Sequence, residues 1–110
     1  MTATFAERLR SGQVVSLINT DHPDPGMVAV LAAAGADAVM IDCEQGAAGL
    51  TDVDDMVRAA RLDATAAVVR VPCAETWVLE RYLRRGVDGV VVPRVDTAAQ
   101  VAAVVRDVGY

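Results

Sequence analysis

Two acids one residue apart, Asp42 and Glu44, end the apolar run Ala38-Val39-Met40-Ile41. If the run is a strand that continues through them, residues i and i+2 point to one face, and both carboxylates lean the same way at its C-terminal end. Ligands in parallel α/β folds sit at that end. The bland alternative is that the pair opens a loop and faces water. Projecting the other strand ends onto the same rim adds Asn19, Asp21 and His22, then Gln45 beside the acids, then Arg70 and Cys73, then Arg94 and Asp96. A basic group flanked by acids suits a small anion or a metal-assisted reaction. Arg70 also has a structural alternative, as a bridge to Asp42. His22 lies in a Pro-containing loop, where an imidazole is more often simply solvated. Cys43 and Cys73 read as packing thiols, because nothing local marks either as a nucleophile. No nucleophile elbow, phosphate-binding glycine loop or zinc motif is present, and Gly46-Ala47-Ala48-Gly49 is too short and generic for a dinucleotide site.

Elements that can position these residues follow from the apolar pattern. Residues 4–10 read as a short helix stopped at Ser11-Gly12, and residues 14–18 as the first strand. Asp24 can cap the next helix with Pro25 in its first position. Met27, Val30, Leu31 and Ala34 recur at i, i+3, i+4 and i+7, the stripe of an amphipathic helix, and Gly35 closes it. The second strand carries the two acids. Thr51 or Asp52 caps a helix with Val53, Met56, Val57 and Ala60 on its inner face. A third strand over 67–71, a helix over 75–85 burying Val78, Leu79, Tyr82 and Leu83, and a fourth strand over 89–92 follow. Thr97 opens a last helix with Val101, Val104, Val105 and Val108 on one face. The expected fold is α/β: a lead-in helix, then four strand–helix units on a parallel sheet. A faint repeat, Gly35-Ala36-Asp37-Ala38 against Gly86-Val87-Asp88-Gly89, supports the array and says nothing of chemistry.

Size and composition bound the rest. A chain of 110 residues makes a single domain, 1–110, large enough for one core. A hydrophobic content of 54% argues for a folded chain, and with aromatics at 4%, Ala and Val do the packing. A net charge of -5 and a pI of about 4.6 suit neither nucleic acid nor an anionic membrane as partner. The longest apolar stretch is broken by Gly35 and Asp37, so no membrane span is expected, and no secretory leader is read in the opening residues. Two cysteines without a metal spacing or a disulfide framework point to a reducing, cytoplasmic setting. Four parallel strands leave two unpaired edges and an apolar face with no opposite half, so a homo-oligomer is expected.

Four runs, in order and at consistent spacing, carry a resemblance. They are Ile41-Asp42-Cys43-Glu44-Gln45-Gly46, Val68-Val69-Arg70-Val71-Pro72, Arg81-Tyr82-Leu83-Arg84-Arg85-Gly86 and Val91-Val92-Pro93-Arg94-Val95-Asp96-Thr97. Together they resemble the HpcH/HpaI aldolase family of class II pyruvate aldolases, and more distantly macrophomate synthase and the citrate lyase β subunit. The resemblance implies the first half of a (β/α)8 TIM barrel and an ancestry in carbon–carbon bond cleavage or formation on 2-oxo acids. It implies that Arg70 sits near the bound oxo acid and stabilises enolate charge, and that Asp42 and Glu44 belong to the substrate site. Gln45 stands at the family's base position, normally a histidine. Arg84 stands where an acid often supports that histidine. The divalent metal of the family, Mg or Mn, is held by acids of later strands that have no counterpart here, so no metal ligand and no firm cofactor is assigned. A full barrel runs to about 250 residues. The stop at Val108-Gly109-Tyr110 falls inside a family motif, which suggests a truncated chain, the alternative being a true half-barrel. Three functions stay open: an aldolase-family protein with impaired chemistry that still binds a small 2-oxo acid or similar anion, a non-catalytic half-barrel that binds a partner chain, and a repurposed enzyme on the same rim.

Overall fold

The computed structural model describes residues 3–109; Tyr110 and the first two residues of the chain lie outside them. Helix α1 (Phe5–Arg10) precedes β1 (Leu17–Asn19), α2 (Pro25–Ala33), β2 (Ala38–Asp42), α3 (Leu50–Arg61), β3 (Ala66–Arg70), α4 (Thr76–Leu83), β4 (Gly89–Val91) and α5 (Ala98–Asp107). The four strands form one parallel sheet in the order β1-β2-β3-β4. That is the expected α/β array. Among the described residues no helix is long and apolar enough to cross a membrane.

Alternation along the strands sorts side chains onto two faces. Val39 and Ile41 of β2, with Ala67 and Val69 of β3 and Val71 just beyond it, join α3 and α4 in the main core, where Val53, Met56, Val78 and Leu79 are fully or nearly fully buried. The other face carries Ala38, Ala66 and Val68, packed under Phe5 of α1 and against Val91. The lead-in helix thus covers the N-terminal part of the face that was expected to be bare. Leu17 on the same face stays 45% exposed.

Helix ends obey local chemistry. Thr4 and Glu7 form a reciprocal capping box on α1. Asp24 caps α2 through the Gly26 amide, with Pro25 in the first turn, and Gly35 follows at φ 97, a left-handed position that glycine adopts without strain. Thr97 caps α5.

Three expectations need correction. The first strand does not span 14–18: it begins at Leu17, and Val14 is 95% exposed. Ser16 is instead held by Asp37, whose carboxylate accepts its amide at 2.7 Å, so the chain enters the sheet only beyond that latch. The buried stripe of α2 is not Met27, Val30, Leu31 and Ala34: Val28 and Ala32 are buried, Leu31 is half-buried, and Met27 and Val30 are exposed. That helix is apolar almost all round, so the pattern could not select a face. The cap of α3 is Gly49 rather than Thr51 or Asp52; Asp52 reaches back to accept the Gly49 amide at 2.9 Å.

The faint repeat has a structural basis. Asp37 accepts the Ser16 amide and the Arg8 guanidinium, and Asp88 likewise accepts the Ala67 amide at 2.8 Å and Arg61 at 2.7 Å. Each acid, in the turn before its strand, pins the start of the preceding strand. Strand register repeats too: Leu17 pairs with Ala38 and, 51 residues on, Val68 pairs with Gly89.

The rotated stripe of α2 gives a direct check. Val28→Ala should cost about 2–3 kcal/mol by lost burial plus a cavity, and Val30→Ala less than about 0.5 kcal/mol, measured by urea unfolding. The reverse order would restore the stripe expected from the pattern.

Candidate functional site

At the C-terminal edge of the sheet, β2 ends on Asp42 and β3 on Arg70, and the two residues are register partners. Both follow core-forming strand residues at alternate positions, so their side chains leave the same face of the sheet as Met40 and Val68. Arg70 makes a two-pronged bridge to Asp42: Nε donates to Oδ1 at 3.1 Å and Nη2 donates to Oδ2. Asp42 Oδ1 also accepts the backbone amides of Glu44 at 3.0 Å and Gln45 at 2.9 Å. The carboxylate is 8% exposed and fully partnered. Its bonds to Arg70 hold its pKa well below the usual carboxylate range against the opposing effect of burial, with the two amides adding to the depression.

The loop after β2 is wrapped around that carboxylate. Gly46 lies so close that a Cβ there would sit 2.6 Å from the Asp42 carbonyl oxygen, so only glycine lets the chain pass. Glu44 lies beyond the strand, yet Oε1 comes to 3.6 Å from Arg70 Nε, and Oε2 to 3.8 Å from Nη2 of Arg94. Asp42 and Glu44 therefore do converge, through the loop rather than through a continued strand. Gln45 contributes its backbone amide and is exposed.

Arg94 is what the end of β4 contributes to the rim. It follows β4 at φ 60, an uncommon backbone state for a residue other than glycine, and its side chain is 79% exposed. The signal was there in Pro93-Arg94, a strand stop followed by a cation. The β1 end behaves differently. Asn19 accepts the Asp21 amide, Thr20 donates to the His22 carbonyl, and His22 is exposed. These residues shape their own loop.

Cys43 turns away from the rim into the main core beside Tyr82. Burial pushes its thiol up to about 11, partly offset by the hydrogen bond with the Tyr82 hydroxyl. At neutral pH it is a protonated packing group.

The carboxylates gathered at this rim do not by themselves make a divalent-metal ligand set. Both Asp42 oxygens are committed to Arg70, Glu44 is a single further carboxylate, and a divalent ion wants about six oxygen ligands. No group of three or more His, Cys, Asp or Glu among the described residues is arranged to hold one. The arrangement can instead receive an anion, because Arg70 and Arg94 flank Glu44 at an open rim.

The family model described as HpcH/HpaI aldolase/citrate lyase matches residues 18–110. The hydroxypyruvate/pyruvate aldolase of Roseovarius nubinhibens is 30% identical over 109 residues, covering 99% of this chain and 42% of that one. The 4-hydroxy-2-oxovalerate aldolase of Rhodococcus jostii is 45% identical over 83 residues, covering 74% of this chain and 32% of that protein. The crystal structure of the HpcH/HpaI aldolase from Desulfitobacterium hafniense superposes with a TM-score of 0.84 at 26% identity, over 99% of this chain and 42% of that one. The chain spans about two fifths, or less, of the length of these relatives, and its four parallel strands correspond to half of a (β/α)8 barrel.

The Asp42 carboxyl ionises at lower pH in the folded chain than in the unfolded one, so its bridge stabilises the fold fully above about pH 4 and that contribution is lost as pH falls toward the folded value. Asp37, also held low by the Ser16 amide and Arg8, adds a second contribution of the same sign. Asp42→Asn should lower the urea midpoint at pH 7 and flatten its decline below pH 4, leaving the part due to Asp37. An unchanged acid limb would show that the bridge does not form in solution.

Proposed function

The chain belongs to the HpcH/HpaI aldolase/citrate lyase family, and on that premise we propose that its rim binds a small 2-oxo acid such as pyruvate through Arg70, while carbon–carbon bond cleavage and formation are impaired in this chain taken alone. The relatives' names, hydroxypyruvate/pyruvate aldolase and 4-hydroxy-2-oxovalerate aldolase, support the substrate class. Two unpaired thiols support a reducing, cytoplasmic setting.

The observation that carries the reading is the way Arg70 is held. Nε and one edge of Nη2 are turned to Asp42, which fixes the guanidinium plane and leaves Nη1 and a second N–H of Nη2 for an incoming carboxylate or oxyanion. Arg94 across Glu44 supplies a second cation on the same side. Pre-positioned donors of this kind stabilise charge that develops on an enolate oxygen. Proton movement is the weak step. Gln45 is a carboxamide and takes up no proton in the working range, where a positioned acid–base group is typically worth about 10²–10⁴-fold in rate. Asp42 cannot replace it, because its bridge keeps it ionised and engaged. The divalent metal of the family would serve to hold the enolate; the residues present do not form its ligand set, and no step is assigned to it.

Two measurements on the same samples test this. Pyruvate binding, followed by ligand-observed NMR, should fall in about the millimolar range and vanish in Arg70→Ala, with circular dichroism confirming that the variant folds. Release of pyruvate from a 4-hydroxy-2-oxo acid, coupled to lactate dehydrogenase in the presence of Mg²⁺ or Mn²⁺, should stay at background for the wild type and for Gln45→His. Metal-dependent turnover in the wild type that disappears in Arg70→Ala would overturn the impaired reading. Absence of pyruvate binding by the folded wild type would overturn the anion site.

A further inference from the structure

Asp42 and Glu44 stand at the rim in unlike states. Asp42 spends both oxygens on hydrogen bonds, to Arg70 and to the amides of Glu44 and Gln45. Glu44 keeps its distance from both arginines. Its Oε1 lies 3.6 Å from Arg70 Nε and its Oε2 3.8 Å from Arg94 Nη2, each beyond hydrogen-bond length. The side chain is held in that place nonetheless. It is 11% exposed, although Gln45, Gly46 and Ala47 after it are open to solvent. Its backbone is fixed on both sides, by its own amide donating to Asp42 Oδ1 at 3.0 Å and by the tight passage at Gly46. A carboxylate set between two guanidinium groups at such distances contributes little to their orientation. What it changes is the electrostatic potential in the cleft between them.

We propose that Glu44 sets the charge selectivity of the rim, holding it to 2-oxo acids with one carboxylate and disfavouring those with two. The inference rests on the reading that anions bind at Arg70. Around the cleft the charges of Arg70 and Arg94 are matched by those of Asp42 and Glu44. A monocarboxylate adds one negative charge to this balanced cluster, and Arg70 still has N–H groups to receive it. A second ligand carboxylate, reaching toward Arg94, adds another charge beside Glu44. Arg94 is 79% exposed, so water screens its attraction more than it screens repulsion from the enclosed Glu44.

Asp42 contributes to the same field, but its removal would free Arg70 to turn. Glu44 is the acid whose charge can be altered while the guanidinium stays in place. Coulomb energy scales with ligand charge, so each ligand carboxylate feels the loss of Glu44 separately. One unit charge about 6 Å away in a largely aqueous medium amounts to a factor of about three in affinity.

Affinities for pyruvate and 2-oxoglutarate, measured by ligand-observed NMR titration at neutral pH and low ionic strength, test this. The wild type should favour pyruvate. Glu44→Gln keeps the shape and removes the charge; it should tighten pyruvate about threefold and 2-oxoglutarate about tenfold. Glu44→Ala, a second neutral variant, should move the preference the same way. Both gains should shrink at about 1 M salt, where the Debye length is about 3 Å. Glu44→Asp keeps the charge and should keep the wild-type preference. Asp63→Asn makes an equal change of charge at an exposed position between α3 and β3, at the far end of the sheet, and should leave both affinities as they are. Circular dichroism checks each variant. A folded neutral variant that gains on neither ligand, or gains equally on both, would overturn the proposal, as would a wild type that favours 2-oxoglutarate. A wild type that binds no pyruvate would sink the anion-site reading. In that case 2-oxoglutarate binding gained in Glu44→Gln would still support the charge role, and no gain would overturn it as well.

Discussion

One buried carboxylate organises the C-terminal edge of this sheet. Asp42 terminates β2, binds Arg70 of β3 with both oxygens, and accepts two amides of the loop that follows. These bonds join two strands and a loop at a single group, and they fix the direction in which Arg70 presents its remaining donors. A charge taken this far out of water is tolerable only with every partner in place. The same requirement explains Gly46, where the loop must close against the Asp42 carbonyl without room for a side chain. Geometry at the rim is thus set before any ligand arrives.

The opposite end of the sheet is built for a different purpose. Asp37 and Asp88 each hold the start of a neighbouring strand and an arginine from a helix, so that Arg8 and Arg61 are both paired with acids. This division suits a barrel scaffold, in which one end carries stability and the other end carries binding. It also accounts for the repeated register. Once a turn acid fixes where one strand begins relative to the next, the pairing follows, and the same device used twice yields the same alignment twice.

How much of this was legible in the sequence depended on whether the deciding interaction was local. Strand–helix alternation, the Asp24-Pro25 start, the Gly35 stop and the inner face of α3 were all readable, because each rests on neighbours in the chain or on a clear period. The stripe of α2 was not: with apolar residues on nearly every side, only the packing of Val28 and Ala32 against the rest of the fold selects the face. The start of β1 was misread because Ser16 is governed by Asp37, a partner 21 residues away that no local pattern announces. At the site, the rim list was right about Asp42, Glu44 and Arg70 coming together. It left open whether Arg70 would face a ligand or bridge to Asp42. The structure contains the bridge, and chemistry allows both at once because a guanidinium has five N–H groups.

That last point governs how strongly such a rim can act. An anion approaching Arg70 meets a guanidinium whose charge is already shared with Asp42 and felt by Glu44, so the attraction it experiences is weaker than that of an unpaired arginine. Two changes would strengthen it without altering a single bond in the cluster. Arg94, exposed and in an uncommon backbone state, can add its charge if its loop is held in place. Exclusion of water by further walls around the rim would lower the local dielectric and enlarge every remaining interaction. The cluster thus sets the direction in which Arg70 presents its remaining donors, while the strength of any attraction depends on how far water is kept from the rim.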